Sequence, residues 1–283
     1  MKKKTVAVIG AGTIGADVAL VLSLNNYSVL LKDLSKVILD KAEKSIRDSY
    51  RFTKMMRKSD PMPSLNDVLN RIELTTDYEG FQETDFVIEN ITEDYEAKKN
   101  VYLELKKMCR KNTIYGVNTS CISITKIAAL MLVPENVIGT HFMNPVPLSK
   151  LVEVVMGYHT SEDTIEKTRH LIQTLQKTCI VVNDLPGFVT NRVMMLTVNE
   201  SIWLVHDQVA VAKDVDMIFK LGFGHKMGPL ATADLIGLDT ILNSLSVLYE
   251  NYNDPKYRPC PLLRKMVEAG ILGKKSGRGF YNY

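Results

Sequence analysis

Residues 5–33 read "TVAVIGAGTIGADVALVLSLNNYSVLLKD". "TVAVI" is a short β-rich apolar run, and "SVLLKD" is a second run of strand length. Between them Gly10, Gly12 and Gly15 stand in the order G-A-G-T-I-G, followed by apolar residues at helical spacing. Strand, glycine turn, helix and strand within roughly thirty residues predict a βαβ unit. The first glycine permits a tight turn, the second lets backbone approach a pyrophosphate, and the third lets helix pack on strand. The helix N-terminus then offers unpaired N–H groups and a positive dipole end to phosphate. Asp33 closes the next strand about twenty residues on, where a carboxylate accepts from ribose hydroxyls and repels a ribose phosphate. The stretch therefore predicts a dinucleotide site for NAD over NADP, with Lys32 and Lys36 nearby as the charges weighing the other way.

Working outward, residues 36–60 read as a long charged helix ending in the proline-broken "DPMPS". Short apolar runs follow at 72–76, 85–91, 113–120, 136–142 and 151–155, some separated by helical stretches such as "EAKKNVYLELKKMC" and "SITKIAALML". This alternation predicts a parallel-rich, doubly wound sheet. After "CIVVNDLPGF" strand signals nearly vanish, and "PGFVTNRVMMLTVNESIWLVHDQ" reads as a long helix apolar on more than one face. The tail "GKKSGRGFYNY" reads as irregular and basic. The expected fold class is α/β, a Rossmann-type NAD-binding domain over 1–185 followed by an all-helical C-terminal domain over 186–283.

Composition narrows the function classes. The chain of 283 residues is 46% hydrophobic and 24% charged, with a net charge of +3, too small to argue for nucleic acid or an anionic membrane. Three lysines precede an apolar run at the start, yet glycines and Asp17 interrupt it before a signal-peptide core forms. No other stretch approaches the roughly 18–20 apolar residues of a membrane span. Cys109, Cys121, Cys179 and Cys260 are scattered, without the close pairs of a zinc site or a disulfide framework. The expectation is a soluble cytoplasmic protein without a metal.

One of the five histidines lies in "HFMNPVPLSKLVEVV", residues 141–155. A nicotinamide cofactor implies hydride transfer, and oxidising an alcohol requires a base for the proton it sheds. An imidazole suits that role near neutral pH. A strand, a turn through Pro145 and Pro147 and a returning strand would let Glu153 face His141, where a carboxylate fixes the tautomer and stabilises the charged ring.

These segments together resemble the 3-hydroxyacyl-CoA dehydrogenase family, close to bacterial 3-hydroxybutyryl-CoA dehydrogenases. The resemblance runs along the whole chain through "VIGAGTIG", "VIENITEDYEAKKNVY", "NTSCISITKIA", "THFMNPVPLSKLVEVV", "DLPGFVTNRV", "MGPLATADLIGLDT", "RPCPLLRKMVEAG" and "GKKSGRGFYNY". It implies that His141 is the general base and Glu153 its partner. It implies further that Ser120 and Asn191 hydrogen-bond the reacting oxygen, and that Glu93, Lys98, Asn144 and Lys275 surround the nicotinamide and its ribose. It also implies NAD as cofactor, a short L-3-hydroxyacyl thioester as substrate, and a homodimer formed through the helical domain.

The sequence departs from the family pattern in places. Cys121 stands where a second serine is usual, Met143 replaces an aromatic residue, and Lys226 replaces a proline. Ser49 matches a serine that some members use to hold coenzyme A, but Met56 stands at the matching lysine. Arg57 and Lys58 are the adjacent cations that would take its place at the phosphates. The alternative is the same chemistry on an acyl-carrier-protein-bound substrate, such as a glyceryl group oxidised toward a hydroxymalonyl extender unit. A non-catalytic NAD-binding protein would leave the Ser120–His141–Glu153–Asn191 set without a purpose.

Overall fold

The structure, a computed structural model, describes residues 5–57 and 61–283. Its internal contacts divide the chain into two compact units, Met1–Asp184 and Leu185–Tyr283. The first contains the strands β1 (Thr5–Ile9), β2 (Ser28–Lys32), β3 (Ile72–Thr75), β4 (Phe86–Glu89), β5 (Ile114–Val117), β6 (Val137–Phe142), β7 (Leu151–Met156) and β8 (Thr178–Asn183). They form one sheet in the order β3-β2-β1-β4-β5-β6-β7-β8. Every neighbouring pair is parallel except β6 and β7, which run antiparallel.

Strand alternation decides what each face buries. Val6, Val8, Ile88, Ile138 and Val152 point one way and pack with Leu20 of α1 (Thr13–Leu24), Ile46 of α2 (Lys36–Met56) and Leu171 of the helix Glu162–Thr174. Tyr115, one residue out of that alternation, meets Tyr102 edge-on from the helix Tyr95–Met108 on the opposite face. Numbered in chain order, α3 is Leu65–Leu69, α4 is Tyr95–Met108, α5 is Ile124–Ala128 and α6 is Glu162–Thr174. The strand order reverses between β1 and β4, and in such sheets the carboxyl ends of the strands at the reversal form the ligand crevice.

Among described residues, the helix expected over 36–60 ends at Met56, and residues 58–60 lie outside them. α3 has no counterpart in the sequence reading, because five residues are too few to show a helical period. Its stop-start signal is local: the Ser64 hydroxyl accepts from Asp67 N at its N-cap.

The second unit contains α7 (Thr190–His206), α8 (Ala212–Gly222), α9 (Pro229–Ile236), α10 (Leu238–Tyr252) and α11 (Pro261–Glu268). Val198, Ile202, Leu230, Ile241, Leu245, Tyr257 and Leu263 fill its core. The helix expected from the start of "PGFVTNR" begins at Thr190, since Gly187 and Phe188 both take positive φ, at 78° and 49°, and turn the chain first. The tail is not loose: Asp234 accepts from Phe280 N and Tyr281 N at 3.0 Å and straps it to α9.

Candidate active site

The glycine turn lies at the carboxyl end of β1 and leads into α1. Gly10 has φ 88°, and a Cβ there would stand 2.6 Å from the Asn90 carbonyl oxygen. A Cβ at Gly15 would fall 1.7 Å from the Gly10 carbonyl oxygen, so close contact of helix and strand needs its absence. Gly12 has nothing within 4 Å of such an atom, which leaves its backbone open to a bulky ligand. α1 also has no side-chain cap and no acid in its first turn, so its N–H groups are not committed to a carboxylate.

Asp33 is held beside this turn by two backbone donors, Ala11 N to Oδ2 and Leu34 N to Oδ1, each at 2.6 Å. Lys32 lies close enough for its charge and that of Asp33 to attract each other. It is buried, its Nζ lies 4.5 Å from the Tyr78 ring centre, and burial pushes its pKa down. Open glycine, uncapped helix and fixed carboxylate together fit NAD.

His141 and Glu153 occupy directly paired positions of the antiparallel β6–β7 ladder. Directly opposite residues of such a pair place side chains on the same face. The contact forms: His141 Nδ1 and Glu153 Oε2 are 2.9 Å apart, with both residues buried. An ionised carboxylate only accepts, so Nδ1 carries the proton and Nε2 is the basic nitrogen. Ser120 Oγ lies 3.2 Å from that Nε2. Three of the four expected catalytic residues thus meet within the first unit.

The Ser120 turn is itself held. Glu93 Oε1 accepts from Thr119 Oγ1, Ser120 N and Cys121 N, at 2.6, 2.9 and 2.9 Å. Glu93, expected beside the nicotinamide, thus uses this oxygen to fix the serine turn. Lys98 is likewise held within the fold. It is fully buried, donating to Glu89 Oε1 at 2.7 Å and to the Asn118 carbonyl at 3.0 Å, so its ammonium braces the crevice from inside. The reason is that Glu89, buried at the end of β4, needs a counter-charge, and its carboxyl pKa is still pushed up by desolvation.

Asn118 was missed in the sequence. Its Nδ2 donates to Asn90 Oδ1 at 2.8 Å and its Oδ1 accepts from Phe142 N at 3.2 Å. One side chain therefore joins the ends of β4, β5 and β6 directly beside His141. The signal available was its place in "NTS", one residue past a strand and two before the serine.

Asn144 is exposed in the β6–β7 loop, preceding a cis peptide to Pro145. Asn191 is the second residue of α7, and Lys275 pairs with Asp239 at 2.7 Å, both within the second unit. Ser49, Arg57 and Lys58 are the residues expected at coenzyme A. Ser49 is half-buried and faces the Asp17 carboxyl, and Arg57 donates through Nη2 to the Pro147 carbonyl at 2.8 Å. Both turn toward buried acceptors of the fold, and Lys58 lies outside the described residues.

Comparison with known proteins adds to this geometry. The model of the 3-hydroxyacyl-CoA dehydrogenase NAD binding domain matches residues 5–185, and that of the C-terminal domain matches 187–283. A probable 3-hydroxybutyryl-CoA dehydrogenase of Bacillus subtilis is 43% identical, covering 100% of this chain and 98% of the relative. A 3-hydroxybutyryl-CoA dehydrogenase of Clostridioides difficile is 40% identical, covering 98% of each. The crystal structure of (S)-3-hydroxybutyryl-CoA dehydrogenase from Ralstonia eutropha aligns with a TM-score of 0.93 at 38% identity, over 100% of this chain and 99% of that one. With both of its domains matched and the glycine turn and His–Glu pair in place, the chain belongs to the 3-hydroxyacyl-CoA dehydrogenase family and is an NAD-dependent oxidoreductase.

Proposed function

We propose that the chain oxidises a short-chain L-3-hydroxyacyl-CoA of the 3-hydroxybutyryl-CoA type to its 3-ketoacyl thioester, reversibly. The observation that carries this reading is the Ser120–His141–Glu153 alignment, with Nε2 as the basic nitrogen. Gly10, Gly12, Gly15 and Asp33 would hold NAD, which would supply the acceptor for the hydride of carbon three. His141 Nε2 receives the hydroxyl proton, and Glu153 stabilises the imidazolium through Nδ1–H. Ser120 directs a hydroxyl at the same nitrogen and orients the reacting oxygen. In the reverse direction His141 returns its proton to the ketone oxygen. Asn144 is assigned to the nicotinamide side. For Asn191 and Lys275, the roles of holding the reacting oxygen and the coenzyme rest on the resemblance alone.

Coenzyme A is preferred to a carrier protein because the relatives above are named for CoA thioesters. A panel of CoA and carrier-bound 3-hydroxyacyl substrates tests the choice; NADH formation with carrier-bound substrate alone would overturn it.

We further infer a homodimer formed through the second unit. Ile218, Leu221 and Phe223 on and after α8, with Val209 and Val211 before it, are 58–78% exposed, an apolar surface of the kind that marks association. Cys109, Cys179 and Cys260 are free thiols, which fits a reducing compartment such as the cytoplasm.

A further inference from the structure

The loop 143–150 between His141 and Glu153 is a turn in which Leu148 N and Ser149 N donate to the Pro145 carbonyl, and three of its other carbonyls are bound by cations from distant elements. Lys177, just before β8, donates from Nζ to the carbonyls of Val146 at 2.6 Å and Ser149 at 2.5 Å. Arg57, just past α2, takes the carbonyl between them, that of Pro147. Beside them Asp17 of α1 is buried, facing the Ser49 hydroxyl, the Val146 N–H and Lys177, with Oδ1 lacking any hydrogen-bond partner. None of these groups touches the reacting centre. A buried lysine and a buried aspartate are expensive to desolvate, and a loop of neutral polar contacts would not need them.

We propose that Lys177 and Arg57 are positioning residues that clamp this loop so that Asn144 is presented to NAD, and that Asp17 sets the charge of Lys177. The inference rests on the reading of Asn144 as a coenzyme residue. Desolvation and the neighbouring Arg57 bring the Lys177 pKa down to about 8, against the opposing pull of Asp17. Loss of its proton turns two charge-assisted bonds into weaker neutral ones and slackens the loop. Coenzyme affinity therefore falls as pH rises through that value. Asp17 and Arg57 are the charged groups facing Lys177 among the described residues, on α1 and after α2. They act in opposite directions: removing the aspartate charge lowers the lysine pKa, and removing the guanidinium raises it.

The experiment is NADH binding to the full-length protein, followed by the fluorescence of the bound coenzyme from neutral pH to about pH 9.5, a span bracketing the shifted and ordinary lysine values. The wild type is expected to lose affinity with a midpoint near pH 8. Asp17→Asn moves that midpoint to lower pH and Arg57→Gln moves it to higher pH. Lys177→Met removes the transition and weakens binding at neutral pH by at least about tenfold, the effect of losing even one of its two charge-assisted bonds. A midpoint unmoved by either near-isosteric variant, or a wild-type transition retained in Lys177→Met, overturns the proposal. If Lys177→Met fails to fold, the two other variants decide. Because the readout is coenzyme binding, a mistaken thioester substrate would leave the result standing, and a failed clamp would leave turnover of that substrate standing.

Discussion

Glu153 determines which nitrogen of His141 holds a proton, and so whether the ring can act as a base. Glu153→Gln keeps the shape but offers an amide that can donate to Nδ1, which moves the ring proton to Nε2. We expect kcat to fall by on the order of 10²-fold, within the range of a positioned base, with KM for NAD little changed. Steady-state kinetics of NADH formation checks this, and an unchanged kcat would deny the glutamate its role. This pair was legible in sequence because strand geometry is periodic: a turn centred on Pro147 brings residues 141 and 153 into register. Lys98 was not legible. Helical spacing puts it on one face of α4 but does not say that Glu89, nine residues back, points at it from the sheet. The pair is fully buried, so Lys98→Met strands a carboxylate and should cost about 3–5 kcal/mol. Adding Glu89→Gln should recover much of that in chemical denaturation; no recovery would contradict the pairing.

At the scale of elements, the glycine turn and the strand–turn–strand of the histidine are local patterns, and both the nucleotide end of the sheet and the catalytic ladder follow from them. Gly15→Ala tests the first. Its methyl would collide with the Gly10 carbonyl oxygen. Backbone cannot yield there without opening the turn, so NADH affinity should fall by more than about tenfold, roughly one lost polar contact. Titration of coenzyme fluorescence measures it, and wild-type affinity would show that α1 does not pack as described. Helix ends are equally local: Asp94 accepts from Ala97 N at 2.8 Å at the start of α4. Asp94→Ala should cost about 1 kcal/mol by denaturant titration. Contacts that join distant elements carry no such local mark. Arg57 reaches Pro147, Lys177 reaches Val146 and Asn118 reaches Phe142 only because the sheet order places their strands and helices together. Those are the parts of the site that the sequence left unread.

For the whole molecule, the exposed apolar surface around α8 predicts self-association. Leu221→Asp places a charge on its most exposed leucine, and sedimentation should show a dimer shifted toward monomer. A wild-type chain that sediments as a monomer would remove the homodimer. The chemistry is judged by turnover. NADH formation from NAD and L-3-hydroxybutyryl-CoA, followed by absorbance for the wild type and His141→Gln side by side, decides it. The wild type should turn over and the variant should lose about 10²–10⁴-fold in kcat while still binding NADH. Equal turnover by both proteins would contradict the assignment of His141 as the base.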